Sequence, residues 1–410
     1  MLVIEVVRDI SILVVGLGIL YLLYPMISRS QMKNIPKRGK RKDGKFAILI
    51  PARDESRVIR GLLDSLKEQT EPVRFSDVYV IVETEKDPTV KICKEYHANV
   101  IYRRNLKQQR KGYALNDAIV ELLRRQKNYD AYFIFDADNI LDRNYFKEMK
   151  KTYLAGYDIG IGYRNCKNGN RNIFAACSSL TFSMINTIGN EGKKKHGETM
   201  IVSGTGFYIV GEWIQRWKGY PFHCLTEDYE LSLYATLYGM TTDYNKKAIF
   251  YDEQPTQYHT TVQQRIRWIR GYFDARKKYI PLIRRDLRKN KENENAKRSA
   301  CVGVKPYIMI IIGMILWAFA DMMAGISRAN IAVMFLQVGM LLSAAYIAMM
   351  IVTIVMLRRE KEQLHLSVKM KRRMIWFYPL YLVTYIPCAL KAMLKKNVTW
   401  VRIDHTETNL

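Results

Sequence analysis

The chain has 410 residues, 49% of them hydrophobic, and a formal net charge of +26; this is too long for one average domain and too apolar for a disordered polymer. A charge this positive raises nucleic acid as a partner. However, segments 29–45, 276–298 and 358–373 carry +19 of it, and each lies beside an apolar run, which is the pattern of cytoplasmic loops in a membrane protein facing anionic lipid. We therefore set nucleic acid aside.

Residues 10–27 carry no charge and would span the roughly 30 Å hydrocarbon layer as a helix. No small-residue cleavage site follows them, and the basic residues come after the run rather than before it. The segment therefore reads as a retained anchor within a first unit, 1–44, rather than a cleaved signal.

Residues 46–51 (FAILIP) predict a short buried parallel strand. The loop ARDES follows, and then Val58 to Leu66 repeats apolar residues at helical spacing. Strands are expected at 77–82, 99–102 and 131–135, with helices at 89–96 and 112–123 between them. This alternation predicts an α/β doubly wound, mostly parallel sheet with ligands beyond the carboxyl ends of its strands. Ala52 to Glu55, Glu83 to Asp87 and Asp136 to Asn139 should then share one edge.

Three motifs carry chemistry. Asp136-Ala137-Asp138 follows an apolar strand directly; two carboxylates so spaced can face one Mg²⁺ or Mn²⁺, with a diphosphate completing the oxygen shell. Thr226-Glu227-Asp228 opens a helical pattern, and its carboxylates suit either a helix cap or a general base, with Asp228 as that base and Thr226 as the cap. In Gln264-Arg265-Ile266-Arg267-Trp268, Gln264, Arg267 and Trp268 share one helical face. Arg267 can clamp a diphosphate and Trp268 can stack on a sugar; a helix lying on an anionic membrane would use the same residues.

Residues 281–306 read as a charged linker. Beyond it, 307–326 and 331–357 form an apolar hairpin with a short outer loop at 327–330. A further apolar stretch, 374–394, contains Pro379, Pro387 and Lys391 and either crosses again or lies in the interface. The implied protein is multi-pass in the cell membrane, with its central domain cytoplasmic. The six cysteines (93, 166, 177, 224, 301, 388) form no CxxC pair, which fits a reducing compartment without zinc or disulfides. Asn397-Val-Thr399 matches a glycosylation triplet, a pattern too common to carry weight.

The order FDAD, TED, QxxRW resembles the family 2 inverting glycosyltransferases of GT-A fold, whose membrane-bound members include cellulose, hyaluronan and poly-N-acetylglucosamine synthases. The resemblance covers residues 45–280. It implies that Asp136 and Asp138 hold the metal and that Asp228 is the catalytic base. Pro51, Ala52, Arg53 and Glu55 would cradle the nucleotide's base and ribose, and Lys111, in a KG loop reaching Asn116, would lie near the diphosphate. Glu227, Gln264, Arg267 and Trp268 would contact substrate, and Ser203 to Phe207 would line the acceptor site. Where the family has an Asp-rich turn this chain has Glu83, so nucleobase preference is less defined than metal use. His259 reads as structural rather than as a ligand. The implied reaction takes a nucleotide-diphospho-sugar, expected to be a UDP-sugar, to the hydroxyl of a growing polysaccharide; the alternative acceptor is a lipid. Homo-oligomers are an expected arrangement. A nucleotidyl- or phosphoryl-transferase is disfavoured, because there is no P-loop and no reason for QxxRW.

Overall fold

The computed structural model describes residues 2–27, 39–327, 331–395 and 398. The loop residues 328–330, Asn397 and Thr399 of the glycosylation triplet, and most of the first basic segment lie outside the described residues.

Helix α1 (Leu2–Ile27) comes first, starting well before residue 10. The central domain then alternates through β1 (Phe46–Pro51), α2 (Ile59–Lys67), β2 (Val78–Val82), α3 (Thr89–Glu95), β3 (Asn99–Tyr102), α4 (Lys111–Arg124) and β4 (Ala131–Ile134). β1 is flanked by β2 and β4, all parallel, with β3 outside β2. All five residues of β2 and all four of β4 are buried, as a strand covered on both faces requires. α2 buries Ile59, Leu62, Leu63 and Leu66, one face of a helix.

The second half of the sheet departs from the parallel expectation. It comprises β5 (Ile140–Leu141), α5 (Tyr145–Leu154), β6 (Ile159–Cys166), α6 (Ile173–Met184), a π-helical stretch 185–191, α7 (Gly192–Lys195), β7 (Phe207–Val210), α8 (Gly211–Trp217), α9 (Glu227–Tyr238) and β8 (Thr242–Asp252). The eight strands run in the order β3-β2-β1-β4-β7-β6-β8-β5. β7 is antiparallel to both β4 and β6, and β5 is antiparallel to β8, so the sheet is mixed. The main core is a continuous cluster around this sheet, and two smaller buried clusters lie beside it.

α10 (Tyr258–Lys289) runs for 32 residues. α11 (Glu294–Val302) follows it, so the stretch expected as a linker is helical for most of its length. Ion pairs Lys297–Asp286 at 2.5 Å and Arg298–Glu294 brace it. α12 (Lys305–Ser327), α13 (Ile331–Arg359), α14 (Val368–Val383) and α15 (Tyr385–Leu394) complete the chain. Three helical stretches among the described residues are long and apolar enough to cross a membrane: Glu294–Ile326, Phe335–Arg359 and Val368–Leu394.

α1 packs against α12 by small residues. A Cβ on Gly18 would lie 3.0 Å from the Pro306 carbonyl oxygen, and one on Gly313 would lie 3.0 Å from that of Ser11; glycine is what permits this approach. The Arg8 guanidinium pairs with Asp321, which also accepts from Trp317 Nε1 at 2.8 Å. The loop after α13 docks on the central domain through buried Glu360, which accepts from Tyr163 Oη and Thr187 Oγ1, each at 2.7 Å.

Candidate active site

The carboxyl ends of β1, β2 and β4 place Ala52, Glu83 and Asp136 on one edge, as expected from their alternation. Arg53 forms an ion pair with Glu83 at 3.2 Å, so the residue standing in for the family's Asp faces a guanidinium. The ARDES loop is pinned from behind: the backbone N–H of Asp54 donates to Asp87 Oδ2 at 2.8 Å, and that of Glu55 donates to Thr89 Oγ1 at 3.0 Å.

The Asp136–Asp138 turn is fixed by its own neighbours. The Asp136 N–H donates to Thr205 Oγ1 at 2.8 Å and to Asn139 Oδ1 at 3.1 Å. Asp138 Oδ2 accepts from the Glu253 N–H at 2.8 Å, and the Asp138 carbonyl accepts from Lys167 Nζ at 2.8 Å. The Lys111 ammonium donates to Asp136 and, at 2.7 Å, to the Gly204 carbonyl. Lys111 is placed there because α4 approaches the 220s loop closely: a Cβ on Gly112 would lie 1.9 Å from the Phe222 carbonyl oxygen.

Asp228 lies in the first turn of α9. Its Oδ1 accepts from the Tyr229 N–H at 2.8 Å, and its Oδ2 faces Gly204, 3.5 Å from where a Cβ there would stand. Gly204 has φ +88°, a left-handed conformation that favours glycine. Burial pushes the Asp228 carboxyl above the ordinary aspartate range, opposed by the Tyr229 hydrogen bond, Lys111 and Arg164. Burial raises Glu227 as well, and the adjacent Asp228 adds to that rise.

The capping role expected of Thr226 is absent. Thr226 holds the N-cap position, but its side chain makes no cap bond, and its hydroxyl is buried without a hydrogen-bond partner. The Tyr229 N–H, a donor such a cap would use, bonds the Asp228 carboxylate. Instead Glu230, one turn into α9, accepts the His223 and Cys224 N–H groups, each at 2.9 Å, and pairs with Lys278 at 2.6 Å.

α10 separates its two arginines. Arg267 faces the cleft, where burial lowers its pKa against the pull of Glu227, Asp136 and Asp228. Arg265 points the other way and is 1% exposed. Its guanidinium stacks 3.8 Å from the Tyr381 ring centre and 4.2 Å from that of Tyr385, and donates to Thr384 Oγ1 at 2.6 Å. It thereby joins the motif helix to the break between α14 and α15. His259 is exposed beside Gln263, away from the cleft.

Two residues passed over in the sequence complete the centre. Arg164 on β6 pairs with buried Asp252, donates to the Ser203 carbonyl at 2.6 Å and stacks 3.7 Å over the Phe182 ring. Phe182 in turn meets Trp268 edge-on, centroids 5.7 Å apart. Neither lies in a motif, and β6 carried no readable strand signal.

A cleft of about 3190 Å³ gathers these groups. Pro51, Ala52, Arg53, Glu55 and Glu83 line it at one end; Lys111, Asp136 and Asp138 line its middle; Glu227, Asp228, Gln264, Arg267 and Trp268 line the wall formed by α9 and α10. Among the described residues no three His, Cys, Asp or Glu side chains form a complete metal cage. The two aspartates supply hard oxygen donors in the cleft lining, which fits a divalent ion that takes its remaining ligands from a phosphate.

The family model for Glycosyltransferase like family 2 matches residues 43–271. The probable glycosyltransferase YdaM of Bacillus subtilis (strain 168) is 28% identical over 261 residues, which cover 59% of this chain. The chain spans 57% of the length of that relative. Among solved structures, the mannosyltransferase PcManGT from Pyrobaculum calidifontis, in complex with GDP-Man and Mn²⁺, superposes with a TM-score of 0.60 at 17% identity, over 95% of this chain and 100% of the other. S. aureus TarS 1–349, in complex with UDP-GlcNAc, gives a TM-score of 0.39 at 15% identity, over 68% of this chain and 81% of the other. With a strand-end carboxylate pair, a GT-A-like mixed sheet and a family match over residues 43–271, this chain belongs to glycosyltransferase family 2.

Proposed function

We propose that the chain transfers a sugar with inversion from a nucleotide-diphospho-sugar to an acceptor hydroxyl at the membrane. The observation that carries this is the placement of Asp228: its Oδ2 is held at Gly204 in the cleft, while Lys111, Asp136, Asp138 and Arg267 gather beside it. Asp228 takes the acceptor proton. The acceptor oxygen attacks the anomeric carbon from the face opposite the nucleotide, and the bond from that carbon to the diphosphate oxygen breaks. Lys111 and Arg267 hold the departing diphosphate by charge-assisted contacts. Pro51, Ala52, Arg53, Glu55 and Glu83 hold the nucleoside, Gln264 and Glu227 orient the sugar, and Trp268 covers its ring.

Asp136 and Asp138 would hold Mg²⁺ or Mn²⁺, which neutralises charge on the leaving diphosphate when bound. PcManGT, which shares the fold, was solved with GDP-Man and Mn²⁺. The UDP-sugar expectation rests on the resemblance alone, as does a growing polysaccharide as acceptor. Basic segments beside the apolar helices favour a cytoplasmic domain of about 45–280, on the side where nucleotide-sugars are made. In that arrangement the N-terminus of α1 and the α12–α13 turn lie outside.

The test offers a panel of nucleotide-sugars to the purified full chain with Mn²⁺ and measures nucleotide release. One or two donors turned over in preference to the rest support the reading. Release from none, by folded protein in lipid, contradicts it.

A further inference from the structure

The loop between α7 and β7 is held from several sides of the cleft. The Val202 N–H donates to Ser232 Oγ at 2.9 Å, and that hydroxyl donates to the Asp228 carbonyl at 2.9 Å, which ties the loop to the first turn of α9. Thr205 Oγ1 accepts from the Asp136 N–H, which ties it to the carboxylate turn. Between these anchors, two cations hold consecutive carbonyls. Lys111 Nζ donates to that of Gly204, and Arg164 Nη1 donates to that of Ser203 at 2.6 Å.

The other contacts of Arg164 lead to β8 and α6. Its Nε donates to Asp252 Oδ2 at 2.8 Å, and its Nη2 donates to the same oxygen. Gln254 Nε2 fixes that oxygen further, at 2.6 Å. The flat face of the guanidinium lies on Phe182, which meets Trp268 edge-on. One planar group thus joins the end of β8, the loop and the aromatic pair beside α10, using a fork of donors and a stacking face that an ammonium lacks.

Stability alone does not account for this arrangement, because a buried ion pair gains little over apolar side chains of the same volume. Its place in the cleft does. A Cβ on Gly204 would stand 3.5 Å from Asp228 Oδ2 and 4.0 Å from Arg164 Nη1, so both groups border the open side of this glycine. In the sugar-transfer reading the acceptor oxygen must come to Asp228. Without Arg164 the Ser203 carbonyl loses its donor, and Gly204, having no Cβ, is free to leave its left-handed conformation.

We infer that Arg164 is a positioning residue for the acceptor side of sugar transfer: it holds the Ser203–Gly204 backbone against Asp228 and, through Phe182, the ring of Trp268. The inference rests on the sugar-transfer reading above and adds to it a residue that lies in no motif.

The experiment compares wild type, Arg164→Lys and Phe182→Leu as full chains in lipid with Mn²⁺. It measures nucleotide release from the donor preferred in the nucleotide-sugar panel, binding of the matching free nucleoside diphosphate by calorimetry, and melting temperature. Lysine keeps a charge beside Asp252 but has neither the second arm for the Ser203 carbonyl nor the flat face for Phe182. Arg164→Lys should lower kcat by about 30- to 100-fold, the scale of a misplacement of about 1 Å. Donor KM and nucleoside diphosphate affinity should stay within about threefold of wild type, because the loss falls on the transition state rather than on donor binding. Phe182→Leu, which keeps the ion pair and the Ser203 hydrogen bond, should lower kcat by about fivefold with the same unchanged donor KM.

A kcat within about twofold of wild type in either folded variant overturns the inference and leaves sugar transfer intact. So does a loss of nucleoside diphosphate affinity large enough to explain the whole effect, since Arg164 would then serve the donor site. If Arg164→Lys does not fold, Phe182→Leu decides by the same two criteria. No nucleotide release by folded wild type overturns sugar transfer, and the role of Arg164 with it.

Discussion

Gly271 lies directly against Thr226. A Cβ at Gly271 would come within 2.5 Å of Thr226 Oγ1 and 2.8 Å of its backbone nitrogen. This contact sets the distance between α10, which carries Gln264, Arg267 and Trp268, and the turn that carries Glu227 and Asp228. Because the obstructing atoms include backbone, a side chain here must move one element.

Gly271→Ala should therefore separate the two walls of the cleft. The overpacking should cost about 1–3 kcal/mol of stability. It should lower kcat/KM for the donor by about tenfold or more, since misplacements of the order of 1 Å are costly in catalysis. Thermal unfolding in detergent and donor kinetics on the same preparation measure both.

Lys111 bridges Asp136 and the Gly204 carbonyl. In Lys111→Ala the donor diphosphate loses a charge-assisted hydrogen bond of about 1.5–3 kcal/mol. Donor KM should rise by about 10- to 100-fold, as read from initial rates across donor concentrations. A change in kcat alone would argue that Lys111 does not touch the diphosphate.

Activity should fall toward acid at a higher pH than an ordinary aspartate would dictate. Asp228 must be ionised to accept a proton, and burial raises its pKa. The base is therefore competent above its raised pKa and is lost as pH falls through it. A pH profile of kcat/KM should show its acid limb displaced upward from the usual aspartate range near 4. An acid limb at or below that range would mean that another group takes the proton.

Arg265 holds the C-terminal helices to the motif helix through Tyr381, Tyr385 and Thr384. Arg265→Ala should cost about 2–3 kcal/mol from lost packing and lost cation–π contacts. Arg265→Lys should recover part of the melting temperature, because a point charge stacks less well on two rings than a planar guanidinium. Donor KM should change much less than in Lys111→Ala, because Arg265 faces away from the cleft.

The parallel half of the sheet was legible because its strands are short, wholly apolar and fully buried, as in Val78–Val82. β6 and β8 were not. The first is IGIGYRNC, with two glycines and an arginine, and the second is TDYNKKAIFYD, whose apolar run is confined to residues 248–251 behind a polar first half. Arg164 became visible only when β6 placed it beside Asp252. The charged segment 281–306 read as a linker, yet Lys, Arg and Glu are good helix formers, and cross-pairs such as Lys297–Asp286 stabilise it as helix. Thr226 fits a cap by residue type, but the Tyr229 N–H it would accept from is taken by the Asp228 carboxylate. The candidate site residues, by contrast, were named from spacing and resemblance, and the fold brings Pro51, Ala52, Arg53, Glu55, Glu83, Lys111, Asp136, Asp138, Glu227, Asp228, Gln264, Arg267 and Trp268 to one cleft, though not Asn116, Thr205, Gly206 or Phe207.

The most direct test of the central claim is nucleotide release from the preferred donor by the full chain in lipid, with Mn²⁺, comparing wild type with Asp228→Asn and Asp138→Asn. If Asp228 is the base and Asp138 holds the metal, each variant should lose about 100-fold or more in kcat, with melting temperatures near wild type. Turnover close to wild type in both variants would contradict the assignment of this site.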